Sequence, residues 1–119
     1  MKTDIALLSA TELLSFYRSR SLSPVEVTQA CLDRIAALDT TLNAFTLVDG
    51  DAALEAARAS EERWIKGEPQ GLVDGVPATI KDLILTKGWP TLRGSKAVSP
   101  DQPWEEDAPA TARLREQGA

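Results

Sequence analysis

Histidine is absent from these 119 residues, and cysteine occurs once, at Cys31. The first absence removes Ser-His-Asp and Cys-His nucleophilic machinery from within the chain. With only one cysteine beside it, no conventional structural zinc site can be assembled. A single cysteine forms no internal disulfide, which fits a reducing compartment. Aromatic residues make up only 5%, and alanine supplies much of the 43% apolar share, so the core this chain can bury alone is modest. No apolar stretch approaches the roughly 20 residues that span a bilayer. The first nine residues lack an apolar h-region and carry an early acid, Asp4, so they do not read as a signal peptide. Lysine and arginine form no cluster, and the net charge of −5 argues against a nucleic-acid or anionic-membrane surface. The expectation is one small domain's worth of cytoplasmic protein with no direct nucleic-acid partner and no membrane partner.

What is present is strong helix punctuation. Ser9-Ala10-Thr11-Glu12 and Ser23-Pro24-Val25-Glu26 both have the capping-box pattern, the second with proline at the first helical position. The first helix should end near Arg18 or Ser19. In the second, Val27, Cys31, Ile35 and Leu38 recur at core-facing spacing, which makes Cys31 a small buried residue rather than a reactive thiol. Leu42 to Val48 is rich in β formers and reads as a strand. Asp49 and Asp51 offer caps for an alanine-rich third helix through Trp64, closed by Gly67. Asp107 is the expected cap of a last helix that Gly118 closes. The stretch from Thr86 to Trp104 is long and irregular, with Gly88, Pro90, Gly94, Pro100 and Pro103, as functional loops often are. Gly118 is a stop signal followed by one residue, so the chain reads as interrupted between elements.

The segment Gly75-Val76-Pro77-Ala78-Thr79-Ile80-Lys81-Asp82 carries the chemistry. It puts a lysine in an apolar, strand-like run, where an unpaired charge is costly. Strand alternation would set Val76, Ala78 and Ile80 on one face and Pro77, Thr79 and Lys81 on the other. Two readings stand side by side. Lys81 is an exposed strand-end lysine paired with Asp82, or it is partly buried so that its neutral form can accept a proton.

Taken with Gly71-Leu72-Val73-Asp74, Leu42-Asn43-Ala44-Phe45, Trp89-Pro90-Thr91-Leu92-Arg93-Gly94-Ser95 and Ala112-Arg113-Leu114-Arg115-Glu116-Gln117-Gly118-Ala119, the segment resembles the N-terminal part of the amidase signature hydrolases. The resemblance implies an α/β fold in which helices pack around a mixed β-sheet, incomplete in this chain. Residues 1–119 would be the N-terminal part of a single domain, truncated before its Gly/Ser-rich segment. It implies amide hydrolysis by a Ser-cisSer-Lys triad, with Lys81 as the catalytic lysine and both serines downstream. A small-molecule amide is the implied substrate, no cofactor is implied, and the oligomeric state is open. Asp82 would be structural, accepting backbone hydrogen bonds, and Ser95 would match a Gly-Ser of a family loop rather than a triad serine.

Two other readings remain at this point. Ile84-Leu85-Thr86-Lys87-Gly88 with Ser95-Lys96 is similar to the A subunit of glutamyl-tRNA amidotransferase, a branch of the same family. Alternatively the chain is a catalytically incomplete remnant or binding fragment. On either fragment reading, apolar surface that later residues would cover should be exposed.

Overall fold

The first three α-helices begin where the sequence supplies a side-chain acceptor for their first amides. The computed structural model describes residues 4–119, so the reading of the N-terminus rests in part on Met1, Lys2 and Thr3, which lie outside the described residues. After a single 3₁₀ turn at Ile5–Leu7, helix α1 spans Ala10–Ser19. Ser9 Oγ accepts the Glu12 amide at 3.3 Å, and the Ser9 amide donates to Glu12 Oε2 at 2.8 Å. Helix α2, Pro24–Leu42, repeats the device: Ser23 Oγ takes the Glu26 amide at 3.2 Å and the Ser23 amide donates to Glu26 Oε2 at 2.8 Å. Helix α3, Gly50–Lys66, is capped by Asp49 through the Ala52 amide and closed by Gly67 at φ 71°. Helix α4 is Pro109–Glu116. Ser23→Ala should lower the unfolding free energy by about 1 kcal/mol, read as a lower urea midpoint at unchanged slope.

The expected strand from Leu42 to Val48 does not form. Helix α2 continues to Leu42 and ends on Asn43, which takes the left-handed conformation at φ 49°. Asp39 then accepts the amides of Ala44 (2.7 Å) and Phe45 (3.3 Å). Donors that a β-ladder would use are bound to a helix-end carboxylate instead, which overrides the local β propensity. The strand-like run expected around Lys81 is likewise not a strand. Its chain turns immediately after Lys81, whose carbonyl accepts the amides of both Leu83 (2.7 Å) and Ile84 (3.0 Å). Among the described residues the one β-bridge joins Thr86 to Trp89 across a tight turn at Gly88, and the regular structure is helical. The cap of α4 also differs from expectation. Ala108 holds that position without a side-chain bond, while Asp107 accepts the Lys87 amide at 2.7 Å and pairs with Arg115 at 2.9 Å.

Helices α2 and α3 pack on each other, and the small core gathers Leu13, Tyr17, Val27 and Trp64. The rings of Tyr17 and Trp64 lie 5.9 Å apart at a 52° tilt, within the separation of favourable aromatic pairs. Ile5, Leu8, Leu14 and Leu22 surround them. Cys31 is half-buried rather than buried, and burial, with Asp4 nearby, pushes its thiol pKa up, away from reactivity. The radius of gyration is 15.3 Å, against about 13.5 Å for a compact domain of this length. Consistent with that looseness, Leu72 is 80% exposed and Leu42 66%, and Leu7, Ile65 and Leu83 are exposed as well. Exposed apolar side chains of the kind expected from the sequence are thus present. No helix among the described residues is long and apolar enough to cross a membrane.

Candidate active site

The segment that carries Lys81 starts from a fixed point. Asp74 is fully buried and accepts four hydrogen bonds: Ser60 Oγ (2.6 Å), Arg63 Nε (2.8 Å), Arg63 Nη2 (2.6 Å) and the Gln70 amide (2.7 Å). The Arg63 contact is a two-pronged guanidinium–carboxylate pair, the strongest geometry such a pair has. Burial alone would raise the Asp74 pKa. The bonds from Arg63, the Gln70 amide and Ser60 outweigh it and hold the carboxyl below the usual carboxylate range. Its own carbonyl accepts Trp64 Nε1 at 3.1 Å.

Gly75 extends the anchor. Its amide donates to the Gly118 carbonyl (2.8 Å) and its carbonyl accepts the Tyr17 hydroxyl (2.9 Å). The backbone has φ 80°, and an added Cβ would lie 2.6 Å from Ser60 Oγ and 2.7 Å from Pro24 Cγ, so only glycine fits. Helices α1, α2, α3 and the end of α4 thus converge on residues 74 and 75. This hub was not legible in the sequence, where Val73, Asp74 and Gly75 figured only as part of the segments carrying the resemblance. The missed signal is an aspartate beside a glycine that follows an arginine at the end of a helix.

From this anchor the chain runs through Val76 to Ile80 without pairing to a strand among the described residues. The expected alternation survives only in part: Val76 and Ile80 are half-buried and Thr79 and Lys81 exposed, but Ala78 is exposed and Pro77 half-buried. Lys81 does not pair with Asp82. The ion pairs among the described residues are Arg34–Asp4, Arg63–Asp74, Arg113–Glu116 and Arg115–Asp107, and Lys81 belongs to none. The half-buried Asp82 carboxylate instead accepts the amides of Leu92 (2.8 Å) and Gly94 (3.4 Å). Asp82 therefore has the backbone-accepting role expected of it. Ser95 Oγ accepts the Ala97 amide at 3.1 Å, a local turn contact with no link to Lys81.

The long loop is cross-braced. Trp89 Nε1 donates to Asp49 Oδ2 (2.9 Å), and Arg115 lies over the Trp89 ring at 5.9 Å. The Gly88 amide reaches the Trp104 carbonyl (2.8 Å), while Leu85's carbonyl accepts the Ala108 amide and the Thr111 hydroxyl, each at 2.9 Å. Both tryptophans are half-buried, Trp89 packing the loop against α3 and α4 and Trp104 donating to the Pro100 carbonyl at 3.0 Å. Chemically, the arrangement offers one exposed amine on a short segment held at both ends, in no ion pair among the described residues.

The sequence model of the Amidase family matches residues 26–119. Among curated proteins, the chain is 45% identical over 116 residues to the A subunit of the glutamyl-tRNA(Gln) amidotransferase from Salinispora tropica, covering 98% of this chain and 23% of that protein. It is 44% identical over 118 residues to the protein of the same name from Thermobifida fusca, with the same coverage. Among solved structures it is similar to a bacterial aryl acylamidase of the amidase signature family, at TM-score 0.89 and 29% identity over 98% of this chain and 24% of that one. A second, described as an amidase, gives TM-score 0.84 and 35% identity over 94% and 25%. The chain therefore spans about a quarter of the length of the curated relatives it matches.

Proposed function

This chain belongs to the amidase signature family, and from that premise we propose that it contributes Lys81 as the base of a Ser-cisSer-Lys triad that hydrolyses a carboxylic amide. Residues 1–119 are then the N-terminal part of one domain, and the remainder supplies both serines, the sheet and the oxyanion hole. One serine attacks the amide carbonyl. The second, in a cis peptide, relays its proton towards Lys81; that proton passes back to the ammonia or amine that departs as the C–N bond breaks, and water then releases the acyl-enzyme as the carboxylic acid. Backbone amides would stabilise the developing oxyanion. A lysine base must be neutral, which requires a drier surrounding than the exposed position of Lys81 here. On this reading the covering residues of the domain supply that burial, and the same residues cover the apolar surface.

The observation that carries the proposal is Lys81 itself. It is the lysine of the Gly-Val-Pro-x-x-x-Lys-Asp segment within the matched region, free of any carboxylate partner among the described residues, while its adjacent acid is occupied by backbone amides. The test is amide hydrolysis by the reading frame carrying this segment, read past the codon for Ala119. Lys81→Ala should abolish activity with folding retained, and undiminished activity would sink the proposal.

A second reading has its own support. The curated relatives named above are amidotransferase A subunits at 44–45% identity, whereas the two amidases named are at 29% and 35%. Under it the released ammonia passes to a partner protein rather than to solvent. Co-purification with a tRNA-binding partner, together with hydrolysis of glutamine but not of simple arylamides, would favour that assignment.

A further inference from the structure

We infer that Asp82 is the positioning residue for Lys81, holding the lysine's backbone in place through the Leu92–Gly94 loop while withholding a carboxylate from its ammonium. This rests on the reading of Lys81 as the base.

Several restraints converge on one peptide. The Lys81 carbonyl is fixed by the amides of Leu83 and Ile84. Asp82, the next residue, anchors its carboxylate on the amides of Leu92 and Gly94. The loop it grips has a demanding shape. Arg93 and Gly94 are consecutive left-handed residues at φ 54° and 65°, and the Ser95 amide closes the turn on the Leu92 carbonyl at 3.0 Å. A non-glycine residue in that region is disfavoured, so the turn at Arg93 carries a backbone cost that its bonds to an acceptor offset. The acceptor is the residue beside the lysine. A carboxylate so used cannot swing to Lys81 Nζ, where it would favour the charged amine and oppose proton acceptance. Movement of a reacting group by about 1 Å is enough to cost about 100-fold in rate.

Two measurements test this with separable failures. Hydrogen exchange on the active protein carrying this segment reads the clamp. In Asp82→Asn the Leu92 and Gly94 amides should exchange about tenfold faster or more, because one of two anionic acceptors becomes a donor. Equal protection would overturn the clamp. Steady-state kinetics on the active protein carrying this segment read the positioning. Asp82→Asn should lower kcat by about 10- to 100-fold with KM little changed. Asp107→Asn, which frees the other side of the same loop at Lys87 without touching the lysine, should leave kcat unchanged. Equal falls in both variants, or full kcat in Asp82→Asn with its loop amides unprotected, would overturn the positioning role alone. Full activity in Lys81→Ala would overturn the parent reading and this inference with it.

Discussion

Lys81→Arg in the active protein should be nearly as damaging as Lys81→Ala, with kcat reduced by about 10²- to 10⁴-fold, the usual contribution of a positioned base. The two substitutions separate charge from chemistry. An arginine keeps the positive charge, much of the length and the hydrogen-bond donors, so a lysine needed for a surface charge would be replaced with little loss. A guanidinium does not deprotonate in a protein and has no lone pair to accept a proton. A proton relay ending on residue 81 therefore stops. Position strengthens the comparison, because Lys81 is exposed and in none of the ion pairs among the described residues, so neither substitution breaks an existing ion pair. The measurement is kcat for amide hydrolysis, with the unfolding midpoint as control. Activity within about twofold of wild type in Lys81→Arg would exclude the base role.

The helix starts were the most legible part of the fold because their determinants are local. Ser9 with Glu12 and Ser23 with Glu26 close their boxes within four residues, and each forms as the pattern dictates. The two expected strands failed for the opposite reason. A strand is made by its neighbours, and neither segment has one among the described residues. At the first, Asp39 takes the amides of Ala44 and Phe45; at the second, the chain turns back on the Lys81 carbonyl. Lys81 was legible through its motif, and the use of Asp82 through its place beside it. The hub at Asp74 and Gly75 was not, since Ser60 and Arg63 on Asp74 and Tyr17 and Gly118 on Gly75 come from two helices and the last turn. Sequence separations of up to 58 residues leave no periodic trace.

Asp74→Asn should destabilise the protein by about 2–3 kcal/mol, below the usual effect of breaking a fully buried ion pair because the Arg63 side chain is 28% exposed. Asparagine preserves size but not chemistry. Four donors now converge on two anionic oxygens, and in the variant an NH₂ group would face the Arg63 or Gln70 donors while the guanidinium lost its counter-charge. Total stability is commonly about 5–15 kcal/mol, so the loss would remove a large part of it. The pH dependence gives an independent signature. Asp74's folded pKa is depressed, so its contribution is fully present above the unfolded value of about 3.9 and is lost as pH falls through the folded one. Wild-type stability should therefore fall steeply below about pH 4, and that of Asp74→Asn more gently. Glu12 and Asp49, whose pKa values are also lowered, leave a residual slope in both proteins. Urea midpoints across this range provide the readout, and a variant within about 0.5 kcal/mol of wild type would show that the hub is not what holds residue 74. If the hub does hold it, unfastening Asp74 also releases Gly75 from Tyr17 and Gly118, and the Lys81 segment loses its fixed end.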